Sequence, residues 1–160
     1  MGRIDKENYY LDIAETVAER STCLRRCYGA IIVKNDEIVA TGYNGAPRGR
    51  INCVDLSYCT REALNIPSGQ RYELCRSVHA EANAIISAAR SETLGATLYM
   101  SCKDPDTGAL IPGSSSCSMC RRQIINAGIE RVVIRDTKTE YRVVMVQEWI
   151  EEDDSLPRHC

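Results

Sequence analysis

Two short motifs constrain this chain more than anything else in it, because each stands where a helix is expected to begin. His79-Ala80-Glu81 opens the Ala-rich stretch VHAEANAIISAAR (78–90), which has strong intrinsic helix propensity. Cys117-Ser118-Met119-Cys120 opens a second helical stretch, 117–128, closed by Gly128 as a C-terminal cap. One imidazole and two thiolates are three ligands of the kind that hold Zn²⁺, and a catalytic zinc keeps its fourth position for water. Cys-x-x-Cys spacing lets both sulfurs reach one ion from a single helical turn. A helix N-terminus also favours the thiolate form. Glu81 lies two residues from His79, close enough to stand beside an ion without ligating it, where a general acid–base belongs. A lone His-x-Glu is frequent by chance, and a lone Cys-x-x-Cys is equally the spacing of a redox pair or a structural zinc site. In order and together, they require a fold that brings two helix starts to one point.

The cysteines widen that reading. There are nine, at 23, 27, 53, 59, 75, 102, 117, 120 and 160. The number is odd, and the first residues, MGRIDKENYY, lack the apolar core of an export signal, so a cytoplasmic location is expected. In a reducing compartment many cysteines read better as metal ligands than as disulfides. Buried structural thiols are the plainer reading for Cys27, Cys102 and Cys160. At 160 residues and a net charge of -2, one compact domain is expected. No apolar run reaches the ~18–20 residues of a membrane span, so no membrane is expected as a partner. The near-neutral balance argues against holding long nucleic acid by charge.

Along the chain, residues 5–20 read as a helix, with Tyr10, Ile13, Ala14 and Val17 on one face and Asp12, Glu15 and Glu19 on the other. Residues 29–33 and 37–43 read as a hairpin about Asn35-Asp36. Residues 44–77, rich in Gly, Pro, Asn and Cys, form a loop long enough to need a function or a metal to hold it. After the 78–90 helix come a strand at 97–101, a polar loop at 102–116, the 117–128 helix and strands at 131–135 and 141–146. A short helix at 147–154 and a frayed tail close the chain. Strands alternating with helices predict a central sheet with helices on its faces.

His-x-Glu followed by Cys-x-x-Cys is the signature of zinc nucleobase deaminases. Four segments extend the likeness: STCLRRCYGAIIV (21–33), TGYNGAPRG (41–49), CRSVHAEANAI (75–85) and CSMCRRQIINAGIERVVI (117–134). On these residues the chain resembles the cytidine and deoxycytidylate deaminase family, and most closely its deoxycytidylate (dCMP) deaminase branch. One position departs: Ser116 stands where the signature has proline, and it is expected to cap the helix instead. The interval 103–116 reads as an insertion.

The resemblance implies an α/β fold, a three-layer α/β/α sandwich on a mixed sheet of about five strands. It implies a single deaminase domain over 1–160 with a zinc-bound loop insertion at about 44–77. It implies a catalytic zinc on His79, Cys117 and Cys120, with Glu81 carrying protons while water attacks C4 of dCMP to give dUMP and ammonia. Asn44 and Arg90 match substrate contacts, Asn44 at the sugar and Arg90 at the phosphate. Arg90 lies eleven residues beyond His79, three turns along one helix face. Arg26 is a weaker phosphate candidate. Cys23, Cys53, Cys59 and Cys75 match a second, structural zinc site, closed by four thiolates. Regulation by dCTP and dTTP through residues 43–60, and a homo-oligomer (hexamer or smaller), also come with the resemblance. The alternatives are a zinc deaminase of another base (a cytidine nucleoside, a guanine-like ring or an RNA base) and a non-catalytic zinc-binding assembly module.

Overall fold

The computed structural model describes residues 2–153, 155 and 156. Helix α1 (Lys6–Ala18) starts at Asp5, whose side chain accepts from the Asn8 N–H. The strands are β1 (Cys27–Lys34), β2 (Glu37–Tyr43), β3 (Thr97–Lys103), β4 (Arg131–Arg135) and β5 (Tyr141–Met145). They form one sheet in the order β2-β1-β3-β4-β5. Only β3 and β4 pair in parallel; the other three pairings are antiparallel. Asn35 and Asp36, both at positive φ, make the hairpin turn that a right-twisted antiparallel pair prefers.

Strand alternation divides the core in two. Ala30, Ile32, Leu98, Met100, Val132 and Ile134 face one side. There they meet α4 (Ala80–Ile86), α6 (Ser118–Ala127) and α7 (Val146–Glu151). Ile31, Val33, Tyr99 and Val133 face the other side and meet α1. The expected three layers on a five-stranded mixed sheet are therefore present. Two glycines set how closely the helices lie. A Cβ on Gly29 would fall 2.1 Å from the Ala14 carbonyl oxygen of α1. A Cβ on Gly42 would fall 2.4 Å from the Ala80 carbonyl oxygen of α4. Neither backbone can give way to a side chain there.

Four segments differ from the sequence expectation. The 78–90 helix is two pieces: α4 ends at Ile86, and α5 (Arg90–Thr93) begins after a break. Glu92 causes the restart, its carboxylate accepting the Ala89 N–H at 2.7 Å. The 44–77 segment holds α2 (Cys53–Leu56), α3 (Thr60–Ala63) and a 3₁₀ turn at Tyr72–Leu74. Strand β3 runs to Lys103, and the following residues turn back on it through a Lys103–Leu110 bridge. The last helix is Val146–Glu151. Asp154 and the tail from 157, with Cys160, lie outside the described residues.

The acidic face of α1 is not a solvated one. Arg135 of β4 is fully buried beneath it. Its guanidinium donates to Asp12 Oδ1 at 2.6 Å, Glu15 Oε2 at 2.8 Å and Asn8 Oδ1 at 3.0 Å. Burial alone would raise both carboxyls. The Arg135 hydrogen bonds, joined by Lys138, outweigh it and hold Asp12 and Glu15 below their ordinary values of 3.8 and 4.5. A carboxylate with a depressed folded value contributes stability above its unfolded value and loses it as pH falls through the folded one. Arg135→Ala is expected to cost about 1–3 kcal/mol at pH 7 in urea denaturation, because it removes the shortest charged hydrogen bonds of both acids and leaves them Lys103 and Lys138 as partners. The gap to wild type should narrow below about pH 4, as the carboxylates protonate. Equal stability of the two proteins at pH 7 would refute this role for the network.

Candidate active site

The helix starts converge as the motifs require. His79 is the N-cap of α4 and Cys117 the N-cap of α6, both with extended backbone. Cys120 sits in the first turn of α6. His79 Nδ1 lies 3.4 Å from Cys117 Sγ and 3.4 Å from Cys120 Sγ. These three donor atoms lie within 4.8 Å of one another and form the one such group of His, Cys, Asp and Glu side chains among the described residues.

The three groups compete for the same protons. The hydrogen bond from Cys120, helped by His79 and opposed by burial, draws the Cys117 thiol well below its ordinary value. The Cys117 thiolate, with burial and the Glu81 carboxylate, drives Cys120 upward. Hydrogen bonding to Cys117 and Cys75 outweighs burial and pushes the His79 imidazole up to about 10. A divalent cation resolves this competition by taking all three as unprotonated ligands, so the donor set fits zinc.

Ser116 does not cap α6. It is buried and its hydroxyl donates to Met100 Sδ at 3.6 Å. Arg121 fixes the approach to the helix instead, with Nε donating to the Ser116 carbonyl at 3.0 Å and Nη2 to Ser115 Oγ at 3.2 Å. The missing proline is thus replaced by a side-chain clamp from one turn into the helix.

The pocket above this cluster is lined by His79, Glu81, Cys117, Asn44, Arg26 and Tyr28, among others. Glu81 is only 4% exposed. Asn44, 5% exposed, holds two stretches of chain. Its Oδ1 accepts the Tyr28 N–H at 2.9 Å and the Ser21 hydroxyl at 2.5 Å, and its Nδ2 donates to the Arg26 carbonyl at 2.9 Å. Arg26 also lines the pocket, its Nη1 donating to the Arg25 carbonyl at 2.9 Å.

Arg90 does not reach this pocket, which corrects the sequence expectation. The helix carrying His79 stops at Ile86, so the two residues share no helical face. Arg90 donates to the Asn126 carbonyl at 2.8 Å and borders an open groove with Met119 and Arg122. Lys138, beside the strand that follows α6, is engaged with Asp12 and Glu15.

Residues 46–77 leave and rejoin the core through a narrow neck. Gly45 and Val78 exchange both backbone hydrogen bonds, at 3.2 and 2.7 Å. Cys23, Cys59 and Cys75 line the pocket from this side. Burial raises the Cys53 thiol, and neighbouring Cys23, Cys75 and Cys59 add to the rise. These four are neighbours, but their sulfurs are not gathered into a tetrahedral set here: Cys23 Sγ accepts the Arg25 N–H at 3.4 Å, and Cys75 approaches His79. Cys102 is fully buried and Cys27 half-buried. Seven pocket residues carried no sequence signal: Ser68, Ser77 and Ser115, and four larger side chains, Tyr28, Arg25, Arg61 and Tyr72. Three of them, Arg25, Arg61 and Tyr72, lie in irregular or very short elements, where no periodicity separates buried from exposed.

Residues 4–136 match the cytidine and deoxycytidylate deaminase zinc-binding region. The chain belongs to the cytidine and deoxycytidylate deaminase family. It is 39% identical to the deoxycytidylate deaminase of Mycobacterium phage D29 over 138 residues, 83% of this chain and 96% of that one. It is 34% identical to the deoxycytidylate deaminase of Schizosaccharomyces pombe over 127 residues, 79% of this chain but 36% of the longer yeast protein. Among solved structures it is similar to the dCMP deaminase of cyanophage S-TIM5 in complex with dCMP and dUMP. That similarity has a TM-score of 0.56 and 27% identity, and covers 83% of this chain and 84% of the other. No helix among the described residues is long and apolar enough to cross a membrane.

Two outcomes test the site as built. Cys120→Ala is expected to lose zinc on dialysis against a chelator that wild type survives, measured by elemental analysis; full retention would remove Cys120 from the ligand set. Asn44→Ala leaves the Tyr28 N–H and the Arg26 carbonyl without their partner. It should destabilise the fold by about 1–3 kcal/mol in urea titration, and an unchanged midpoint would show that water replaces the amide.

Proposed function

We propose that the chain is a zinc-dependent dCMP deaminase, converting dCMP and water to dUMP and ammonia. The observation that carries the reading is the buried Glu81 carboxylate on the wall of the pocket that His79 and Cys117 also line. A purely structural zinc site has no use for that carboxylate. The similarity to deoxycytidylate deaminases over most of the chain gives the base and its phosphate ester.

His79, Cys117 and Cys120 hold the metal. Zinc bound there supplies the Lewis acidity that lets water lose a proton near neutral pH. Glu81 is the proton carrier. Its carboxylate takes a proton from the water that attacks C4, delivers it to ring N3, and then assists the amino group to leave as ammonia. Asn44 shapes the sugar end by fixing the backbone of Arg26 and Tyr28. Arg26, whose guanidinium makes no ion pair among the described residues, faces the anionic part of the ligand.

Cys23, Cys53, Cys59 and Cys75 are proposed as ligands of a second, structural zinc that draws the 46–77 excursion together. Their mutual proximity supports this reading. Two zinc ions per chain by elemental analysis are expected, and one would reject it. A cytoplasmic location, a homo-oligomer and control by dCTP and dTTP accompany the reading as further proposals.

The deciding experiment is ammonia release from dCMP, CMP, deoxycytidine and guanine by the zinc-loaded protein. dCMP is expected to be turned over in preference to the other three; preference for guanine or the nucleoside would overturn the reading. Glu81→Gln should keep its zinc and lose kcat by about 10²–10⁴-fold, the range for a missing acid–base group. Near-normal turnover by that variant would move the proton transfer to another residue.

A further inference from the structure

We infer that Arg61, carried by the cysteine-bearing excursion, receives the 5′-phosphate of the substrate and thereby separates nucleotide from nucleoside. The inference rests on the deaminase reading of the same pocket.

Arg61 belongs to the short α3, in a segment largely at the surface, yet it is 5% exposed, as little as Cys53. Its Nε donates to the Gln70 carbonyl at 3.2 Å. Its Nη2 donates to the Gln70 carbonyl at 2.7 Å and the Pro67 carbonyl at 2.9 Å. The guanidinium lies 4.2 Å over the Tyr72 ring. Every one of these partners is neutral. Among the described residues no carboxylate forms an ion pair with Arg61, and its Nη1 has no hydrogen-bond partner, while the side chain borders the pocket. The Glu73 carboxylate, paired with Arg71, feels the Arg61 charge without pairing to it. A buried cation otherwise held by dipoles and a ring face is open to an anion.

Its surroundings agree. Arg25 and Arg26 line the same pocket. Arg25 spends Nε on Glu62 at 3.1 Å, but its Nη1 is buried without a partner. The Tyr72 ring that supports Arg61 meets the His79 ring edge-on at 5.3 Å. One aromatic ring therefore separates the cationic end from the metal-ligand end, which suits a molecule with a reacting base at one terminus and a phosphate at the other. The planar guanidinium matches phosphate oxygens in geometry and charge. Arg90, the arginine that the sequence offered for this task, is committed to a carbonyl elsewhere.

The test is equilibrium titration of zinc-loaded wild type, Arg61→Gln and Arg61→Lys with dUMP and with deoxyuridine, alongside zinc content and thermal melting. Wild type should prefer dUMP. Arg61→Gln should weaken dUMP by about 10- to 100-fold, the worth of a charged hydrogen bond, and leave deoxyuridine unchanged; Arg61→Lys should fall between. Ser68→Glu sets a carboxylate at an exposed position on the same pocket wall. It should weaken dUMP selectively, and it carries the test if Arg61→Gln does not fold. Equal dUMP affinity for Arg61→Gln and wild type would overturn the inference, as would parallel loss of both ligands or a wild type blind to the phosphate. Failure of the deaminase reading shows separately, as no ammonia from dCMP, and leaves the phosphate preference readable in the same titrations.

Discussion

The reacting geometry depends on a close approach of backbone to backbone at Gly42. Helix α4 lies so near β2 that a single methyl group at that position would overlap the Ala80 carbonyl. His79 is the residue just before Ala80, so the depth of this contact sets where the imidazole stands. On the same face α6 follows β3 and precedes the parallel strand β4, which returns the chain to the same end of the sheet. The two helix starts meet because one is pressed onto the sheet and the other begins the crossover that connects its two paired parallel strands over the same face. Gly29 does the corresponding work for α1 on the opposite face. The sheet is thus clamped from both sides near the hairpin that ends in Asn44.

Two buried arginines show opposite uses of the same side chain. Arg135 sits among Asp12, Glu15 and Asn8 and has its charge cancelled within the fold. It binds α1 to β4 on the face of the sheet opposite α4 and α6. Arg61 is also buried, but its direct contacts are carbonyls and an aromatic face. Because pairing with a carboxylate removes the attraction for an outside anion, the first is a structural pin and the second is open to a ligand. The contrast is one of neighbours, not of residue type, and it explains why an arginine count says nothing about which one meets substrate.

The 46–77 excursion gives the pocket a wall that the sheet and main helices do not provide. Its neck is a single Gly45–Val78 bridge, directly beside Asn44 on one side and His79 on the other. Any change in the order of this segment is therefore felt at both ends of the pocket. Tyr72 carries that coupling in concrete form, with Arg61 on one of its faces and the His79 ring against its edge.

Much of this was legible in the residues. The alternation of helix and strand periods determined the three layers and the sheet. Asn35-Asp36 determined the hairpin turn, because both tolerate positive φ. The spacing of His79, Glu81, Cys117 and Cys120 determined which three donors gather and which carboxylate stands on the same pocket wall, because fixed offsets at helix starts bring side chains to one point. Tertiary structure alone decided the rest. Eleven residues placed Arg90 on the His79 face only if one helix ran through, and the Glu92 cap broke it. The acids of α1 read as a solvated face because their partner, Arg135, lies some 120 residues away in sequence. Ser116 read as a cap because its place before the helix was visible, whereas its contact with Met100, sixteen residues earlier, and the way the Arg121 side chain folds back on it were not. Arg61 had no signal at all, since burial in an irregular segment follows from what folds over it. Local periodicity and ligand spacing are written along the chain, whereas charge compensation and the reach of long side chains are settled only between distant segments.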